Sequence, residues 1–126
     1  MDNPFGPVGT ARYVLLTSFK KDGSPISTPV WAALDNGKLY VSSEPNAGKV
    51  KRIRRNSDVT LQPCNVRGKT HGEIVKGTAV LLDEAASVNA RNVVRRRYGI
   101  QGWIAYLASR LQRGKYGNIG IEITTA

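Results

Sequence analysis

Two short turns, Lys21-Asp22-Gly23-Ser24 and Asp35-Asn36-Gly37, stand between runs of β-forming residues and commit the first part of the chain to antiparallel hairpins. Tyr13 to Phe19 is rich in β-formers with little polar interruption. Pro25 to Leu34 follows as a second arm carrying Ile26, Val30 and Trp31, and Lys38 to Ser43 places Leu39 and Val41 on one face. Three antiparallel strands in succession are expected. Val59 to Cys64 and Glu73 to Leu82 add two more, separated by a polar loop over Asn65 to Thr70. Five strands within about 75 residues point to a barrel or strongly coiled sheet, and Ile119, Ile121 and Ile123 alternate with polar or small residues in a half-buried closing strand. The fold class is therefore predominantly β with flanking helices (α+β).

Helical patterns interrupt the strands at three places. Ser42 to Asn56 reads as a strand end, a Pro-Asn-Ala-Gly turn and a basic helix whose core contacts are Val50 and Ile53, with Asn56 as its stop. Asp83 suits the cap of a helix through Glu84 to Arg97, closed by three arginines and Gly99. A further helix over Trp103 to Leu111 would align Ile104, Leu107, Ala108 and Leu111 before Arg113-Gly114-Lys115 breaks it.

The length of 126 residues fits one domain, 1–126, with a substantial core. Nineteen Lys and Arg against nine Asp and Glu give a net charge of +10, which favours an anionic partner without choosing among a phosphorylated cofactor, a polyacid, nucleic acid and an anionic membrane. Cys64 is alone, so no intrachain disulfide forms, and with His71 the only histidine no zinc set exists; no metal is expected. Met1 to Thr10 lacks a signal-length apolar run and no later stretch approaches membrane-spanning length. The expectation is a soluble, cytoplasmic protein without a membrane partner.

The segment from Ser42 to Asn56 has the makings of a phosphate seat. A glycine-containing turn frees backbone N–H groups, the helix start adds a positive dipole end, and Lys49 and Lys51 supply charge. The competing reading is a solvated helix face, where most charge runs belong. Pro29 cannot donate to a central ladder and so marks an edge or bulge, leaving neighbouring backbone for a ligand. Trp31 is either packing mass or a ligand wall. Cys64 reads as a buried small residue and His71 as surface, with no catalytic role for either; Arg91 and Arg95 to Arg97 read as a solvated helix end, and Tyr98, Trp103 and Tyr106 as interface or core.

Several local words then converge in order: Val14 to Phe19, Asp22-Gly23-Ser24-Pro25, Ser27-Thr28-Pro29-Val30-Trp31, Gly48-Lys49-Val50-Lys51-Arg52, Arg54-Arg55-Asn56, Pro63-Cys64 and Gly77-Thr78-Ala79. Over about Ala11 to Asp83 the chain resembles the pyridoxamine phosphate oxidase-like split-barrel superfamily, in its flavin/deazaflavin oxidoreductase branch. The resemblance implies a homodimeric split β-barrel, similar to FMN-binding proteins, with a cofactor cleft at the subunit interface. Thr-Pro-Val-Trp with Gly-Lys-Val-Lys looks more like members using the deazaflavin coenzyme F420 than those using FMN. Carried over, the phosphate clamp maps to Ser42, Ser43, Lys49 and Lys51, the ring system to Ser27, Thr28 and Pro29, and the cleft border to Pro63, Cys64 and Asn65. Two positions depart from the pattern: Ala32 stands where an aromatic is frequent, and Asn65-Val66 where an acidic-basic pair is common.

The implied activity is an F420-dependent oxidoreductase moving hydride between the deazaflavin and a small conjugated organic acceptor; no catalytic side chain is assigned, since the cofactor carries the difficult chemistry. An FMN-dependent enzyme of the same fold is the alternative, and a non-catalytic cofactor- or haem-binding module is another. Nucleic-acid binding is a distant alternative, suggested by the charge and opposed by the lack of an aromatic pair interleaved with basic residues.

Overall fold

The computed structural model describes residues 3–113 and 119–126, with side chains over 3–98 and 119–126. In chain order the elements are α1 (Pro7–Thr10), β1 (Tyr13–Phe19), β2 (Pro25–Val30), β3 (Ala33–Asp35), β4 (Lys38–Ser43), α2 (Gly48–Arg55), β5 (Asp58–Cys64), β6 (Val75–Leu81), α3 (Glu84–Arg113) and β7 (Ile119–Thr125). The seven strands form one antiparallel sheet in the order β2-β1-β5-β6-β7-β4-β3, coiled into a split barrel around its own apolar face. No helix among the described residues is long and apolar enough to cross a membrane.

Both expected turns form. Asn36 and Gly37 have φ of 52° and 77°, the left-handed pair that a two-residue hairpin requires, and Asp35 pairs with Lys38 across them. Gly23, at φ 90°, turns the longer β1–β2 connection, where the Asp22 carboxylate accepts from the Ser24 N–H at 2.9 Å. That bond holds the Asp22 carboxyl below the usual carboxylate range.

The expected single arm over Pro25 to Leu34 is instead two strands, and the three successive strands do not form one meander. β2 pairs with β1 at one edge of the sheet, while β3 pairs with β4 at the opposite edge. The ladder with β1 ends at Val14 against Val30, and Trp31 and Ala32 belong to neither β2 nor β3. The chain there crosses from one sheet edge to the other.

Strand alternation sends Val14, Leu16, Leu39, Val41, Leu61, Ile121 and Ile123 into the barrel, where all are buried. Phe5 and Val8, on and before α1, join this core, and α2 adds Ile53 to it. α2 packs on β1 and β6, whereas α1 packs on β3 and β5. The short helix α1 carries no sequence signal beyond Pro7 at its first turn.

The helical expectation after Asp83 needs one correction. Asp83 does cap, its Oδ1 accepting from the Ala86 N–H at 2.8 Å, but α3 then runs unbroken through Gly99 and Gly102 to Arg113. An interior glycine costs a helix only about 1 kcal/mol, and no proline follows to force termination. The side chains of Trp103, Ile104, Tyr106, Leu107, Ala108 and Leu111, and the break expected at Gly114-Lys115, lie outside the described residues.

α3 packs across the outward faces of β3, β4 and β7, joining Ala33 and Tyr40 to Ala90, Val93, Val94 and Tyr98 in a second core. Contact is closest at Gly120. A Cβ at that position would stand 2.7 Å from Ala90 Cβ and 3.1 Å from Ser87 Cα. The Gly120 N–H donates to Ser87 Oγ at 2.9 Å, and that hydroxyl in turn donates to the Leu82 carbonyl. Gly120→Ala is therefore expected to lower stability by about 1–3 kcal/mol through overpacking, read as a lower urea midpoint; an unchanged midpoint would mean that α3 can lift from β7 at little cost.

Candidate functional site

The basic helix begins without a side-chain cap: Ala47 is its N-cap, no acid lies in its first turn, and Arg52, Arg54 and Arg55 fill its last. Val50 and Ile53 are buried as expected, and the Asn56 N–H closes the helix on the Arg52 carbonyl at 2.8 Å. Lys51, Arg54 and Arg55 are exposed.

Arg52 was not among the expected site residues, yet it has the most informative placement. Its Nε donates to Ser18 Oγ at 2.7 Å, anchoring the side chain to the end of β1. Its Nη1 lies so close to the start of its own helix that a Cβ on Gly48 would be 2.8 Å away. Helical side chains lean toward the N-terminus, so a residue one turn on can lay its head there only if the position beneath is glycine. The spacing Gly48-x-x-x-Arg52 was the available signal. Dipole, uncapped amides and guanidinium converge on one spot suited to an anion.

Ser42 and Ser43 lie on β4 before this helix and point to opposite faces. Ser43 is buried and its hydroxyl donates to the Glu44 carbonyl at 3.3 Å. Ser42 pairs with Gly120 on the outward face, and its buried Oγ has no hydrogen-bond partner among the described residues. A buried hydroxyl without a partner is costly.

The other expected residues gather along β2 and the far end of β5. Ser27 and Pro29 face outward on the edge strand, and Ser27 Oγ shares a 2.7 Å hydrogen bond with Thr17 Oγ1. Thr28 faces the barrel opposite Leu16. Gly68, at φ 87°, brings the loop after β5 against Pro29, its Cβ position being 3.3 Å from the proline ring. Asn65 organises that loop by accepting from the Arg67 and Lys69 N–H groups at 2.9 and 3.0 Å. Pro63 is fully buried, and Cys64 is buried with its thiol pushed up by desolvation, which disfavours the reactive thiolate. His71 is exposed.

Within one chain these residues thus form two groups at opposite ends of the barrel. Ser43 and α2 lie at one end; Pro29, Asn65 and their loop lie at the other. Adjacent β1 residues connect them, because Thr17 bonds Ser27 while Ser18 bonds Arg52. Two surface cavities, of about 570 Å³ and about 330 Å³, are lined by none of the expected site residues.

At the β2–β3 crossing, Trp31 stacks on Tyr98 of α3 with ring centroids 4.6 Å apart and planes 10° from parallel. The Tyr98 hydroxyl accepts from the Ala32 N–H at 3.1 Å and faces the Arg12 and Ala32 carbonyls at 2.7 and 3.0 Å. Having one proton, it serves one carbonyl at a time, and Arg97 Nη1 donates to the Ala32 oxygen at 2.8 Å. Arg97 Nη2 donates to the Thr10 carbonyl at 2.8 Å. Burial raises the Tyr98 phenol above its ordinary value, with the Ala32 backbone bond, Arg97 and Arg12 partly opposing. Tyr40 is also raised by burial and by Glu122, to which it donates at 3.2 Å.

A family model described as pyridoxamine 5'-phosphate oxidase matches residues 8–123. Similar solved structures include an FAD-binding protein from Mesorhizobium loti, at 20% identity and TM-score 0.62 over 94% of this chain and 82% of that one. A haem storage protein from Vibrio cholerae is 9% identical with TM-score 0.69, covering 100% and 92% of the two chains. General stress protein 26 from Bacillus anthracis is 17% identical with TM-score 0.58, covering 91% and 80%. At these identities the likeness is one of fold. No curated protein matches.

Folding raises both tyrosines, so the stability they contribute is complete below the ordinary tyrosine range near 10 and is lost as pH rises through it. Thermal midpoints measured across the alkaline range should fall above about pH 10, and Tyr98→Phe should make the fall shallower. An identical slope in the variant would show that Tyr98 ionisation does not limit alkaline stability.

Proposed function

The chain belongs to the pyridoxamine 5'-phosphate oxidase family, and from that premise we propose that it is an oxidoreductase using coenzyme F420 to reduce a small conjugated acceptor. The observation carrying this reading is the start of α2, where an uncapped helix N-terminus and the Arg52 guanidinium meet, with Lys49 in the same first turn. Those groups fit a phosphate. Lys49 and Arg52 would hold it by charge, and the first-turn amides would orient it.

F420 rather than FMN is favoured by what lies beyond the seat. Lys51, Arg54 and Arg55 continue the positive surface along the exposed side of α2, and the coenzyme carries a chain of glutamate carboxylates after its phosphodiester. When bound, the deazaflavin supplies hydride transfer. The chain's own residues would hold the ring along Ser27 and Pro29, with the edge strand leaving backbone groups for it.

A homodimer accords with this reading. The candidate residues occupy opposite ends of the barrel within one chain, and a second copy would let a long cofactor meet one group from each. Val66 and Ile74, 65% and 62% exposed, add apolar surface near the Pro29 end that a partner would cover. Sedimentation velocity should therefore give a dimer mass.

Fluorescence titration of the purified protein with F420, FMN and haem tests the assignment, with F420 expected to bind tightest. Lys49→Ala and Arg52→Ala should each weaken F420 binding by about 10- to 100-fold, the worth of a charge-assisted phosphate contact. Affinity unchanged in both would remove the seat; preference for FMN or haem would reassign the cofactor while keeping it. Tight binding without oxidation of the reduced cofactor by any acceptor would make the protein a binding module.

A further inference from the structure

Trp31 lies where the backbone has left β2 and not yet joined β3, so no strand neighbour sets its direction. Its peptide surroundings are held by α3 alone among the longer elements. Tyr98 supplies the stacked ring and a hydroxyl bonded to the Ala32 N–H, while Arg97 spans the Ala32 and Thr10 carbonyls. Both Arg12 and Arg97 also lie over the Tyr98 ring, at 5.8 and 5.3 Å, and the Tyr98 hydroxyl reaches the Arg12 carbonyl. One aromatic side chain thus joins the entry to β1, the crossing and α3. Trp31 itself stays partly exposed, two residues beyond Pro29 on the outward-facing edge.

We propose that Tyr98 is a positioning residue for the acceptor side of the site: its ring and hydroxyl fix the Trp31 indole as a rigid wall beside the Ser27–Pro29 edge. The assignment of that edge to a cofactor ring rests on the function proposed above, whereas the hold of Tyr98 on Trp31 does not. The acceptor class is a planar conjugated molecule, since a fixed indole offers a flat apolar surface. Loss of the hydroxyl would free the Ala32 peptide and let the indole tilt, and small misplacements of positioning groups carry large kinetic consequences.

The chain has two tryptophans, so a Trp103→Phe background isolates Trp31. In that background Tyr98→Phe should raise iodide quenching of Trp31 fluorescence by about two- to threefold and diminish its near-ultraviolet circular dichroism, without any cofactor present. With F420 and a quinone or nitroaromatic acceptor, KM for the acceptor should rise about tenfold while kcat and F420 affinity change less than about threefold. In a Trp31→Leu background Tyr98→Phe should add nothing further to KM, because the effect passes through the indole. A lowered thermal midpoint with unchanged quenching would overturn the inference and leave Tyr98 a stabilising residue only. Should Tyr98→Phe fail to fold, Arg97→Gln, which removes the guanidinium fork but keeps the stack, is expected to move quenching and KM in the same direction; no movement in either overturns the proposal. If the parent protein binds no cofactor, the proposed function fails while the quenching experiment still decides the hold on Trp31.

Discussion

The crossing at Trp31-Ala32 is the constraint on which the rest depends. A sheet whose chain leaves one edge and reappears at the other must pass a stretch where peptide groups have no ladder to enter, and burying them unpaired costs more than a typical hydrogen bond returns. Here the Tyr98 hydroxyl and the Arg97 guanidinium take the place of the missing strand. Because both project from α3, the helix cannot be docked independently of the strand order. The Gly120 contact then fixes how deeply that helix sits on β7.

Closing the sheet on itself leaves two open ends and a continuous outward face. α1 helps close the end near the beginning of β1, and α2 the end near its finish, so the barrel core is sealed by elements that also carry exposed polar chemistry. At the α2 end this produces an arrangement that is poor for an isolated helix: basic residues near both ends, no acid in the first turn and no cap. Arg52 is relieved in part by Ser18, and the remaining positive field faces outward. An anionic ligand would complete the electrostatics that the fold leaves open.

Much of this was readable from local chemistry. Asn36-Gly37 specified its hairpin because few other pairs accept two left-handed conformations, and Val50 with Ile53 identified the buried stripe of α2. Asp83 announced its helix through the cap it forms. Pro25 to Leu34 misled because its composition suits a strand throughout; only the pairing itself shows that the ladder stops at Val30 and that Ala33 joins the opposite edge. Gly99 misled for a related reason, since glycine weakens a helix without being able to stop one. Arg52 was hidden among similar charges, and only its reach back over Gly48 separates it from Arg54 and Arg55. The expected clamp of Ser42 and Ser43 likewise divides between two faces, as adjacent strand residues must.

The sequence by itself determined most of the strands, the two hairpin turns, the Asp83 cap, the apolar faces and the concentration of positive charge at one helix, because each follows from bonds and periodicities within a few residues. Tertiary structure alone decided the strand order, the division of one apolar run between two sheet edges, and the use of Tyr98 and Arg97 in place of a neighbouring strand. Those outcomes depend on contacts between residues more than sixty positions apart, such as Ala32 with Tyr98, whose value exists only once the sheet has coiled and brought them together.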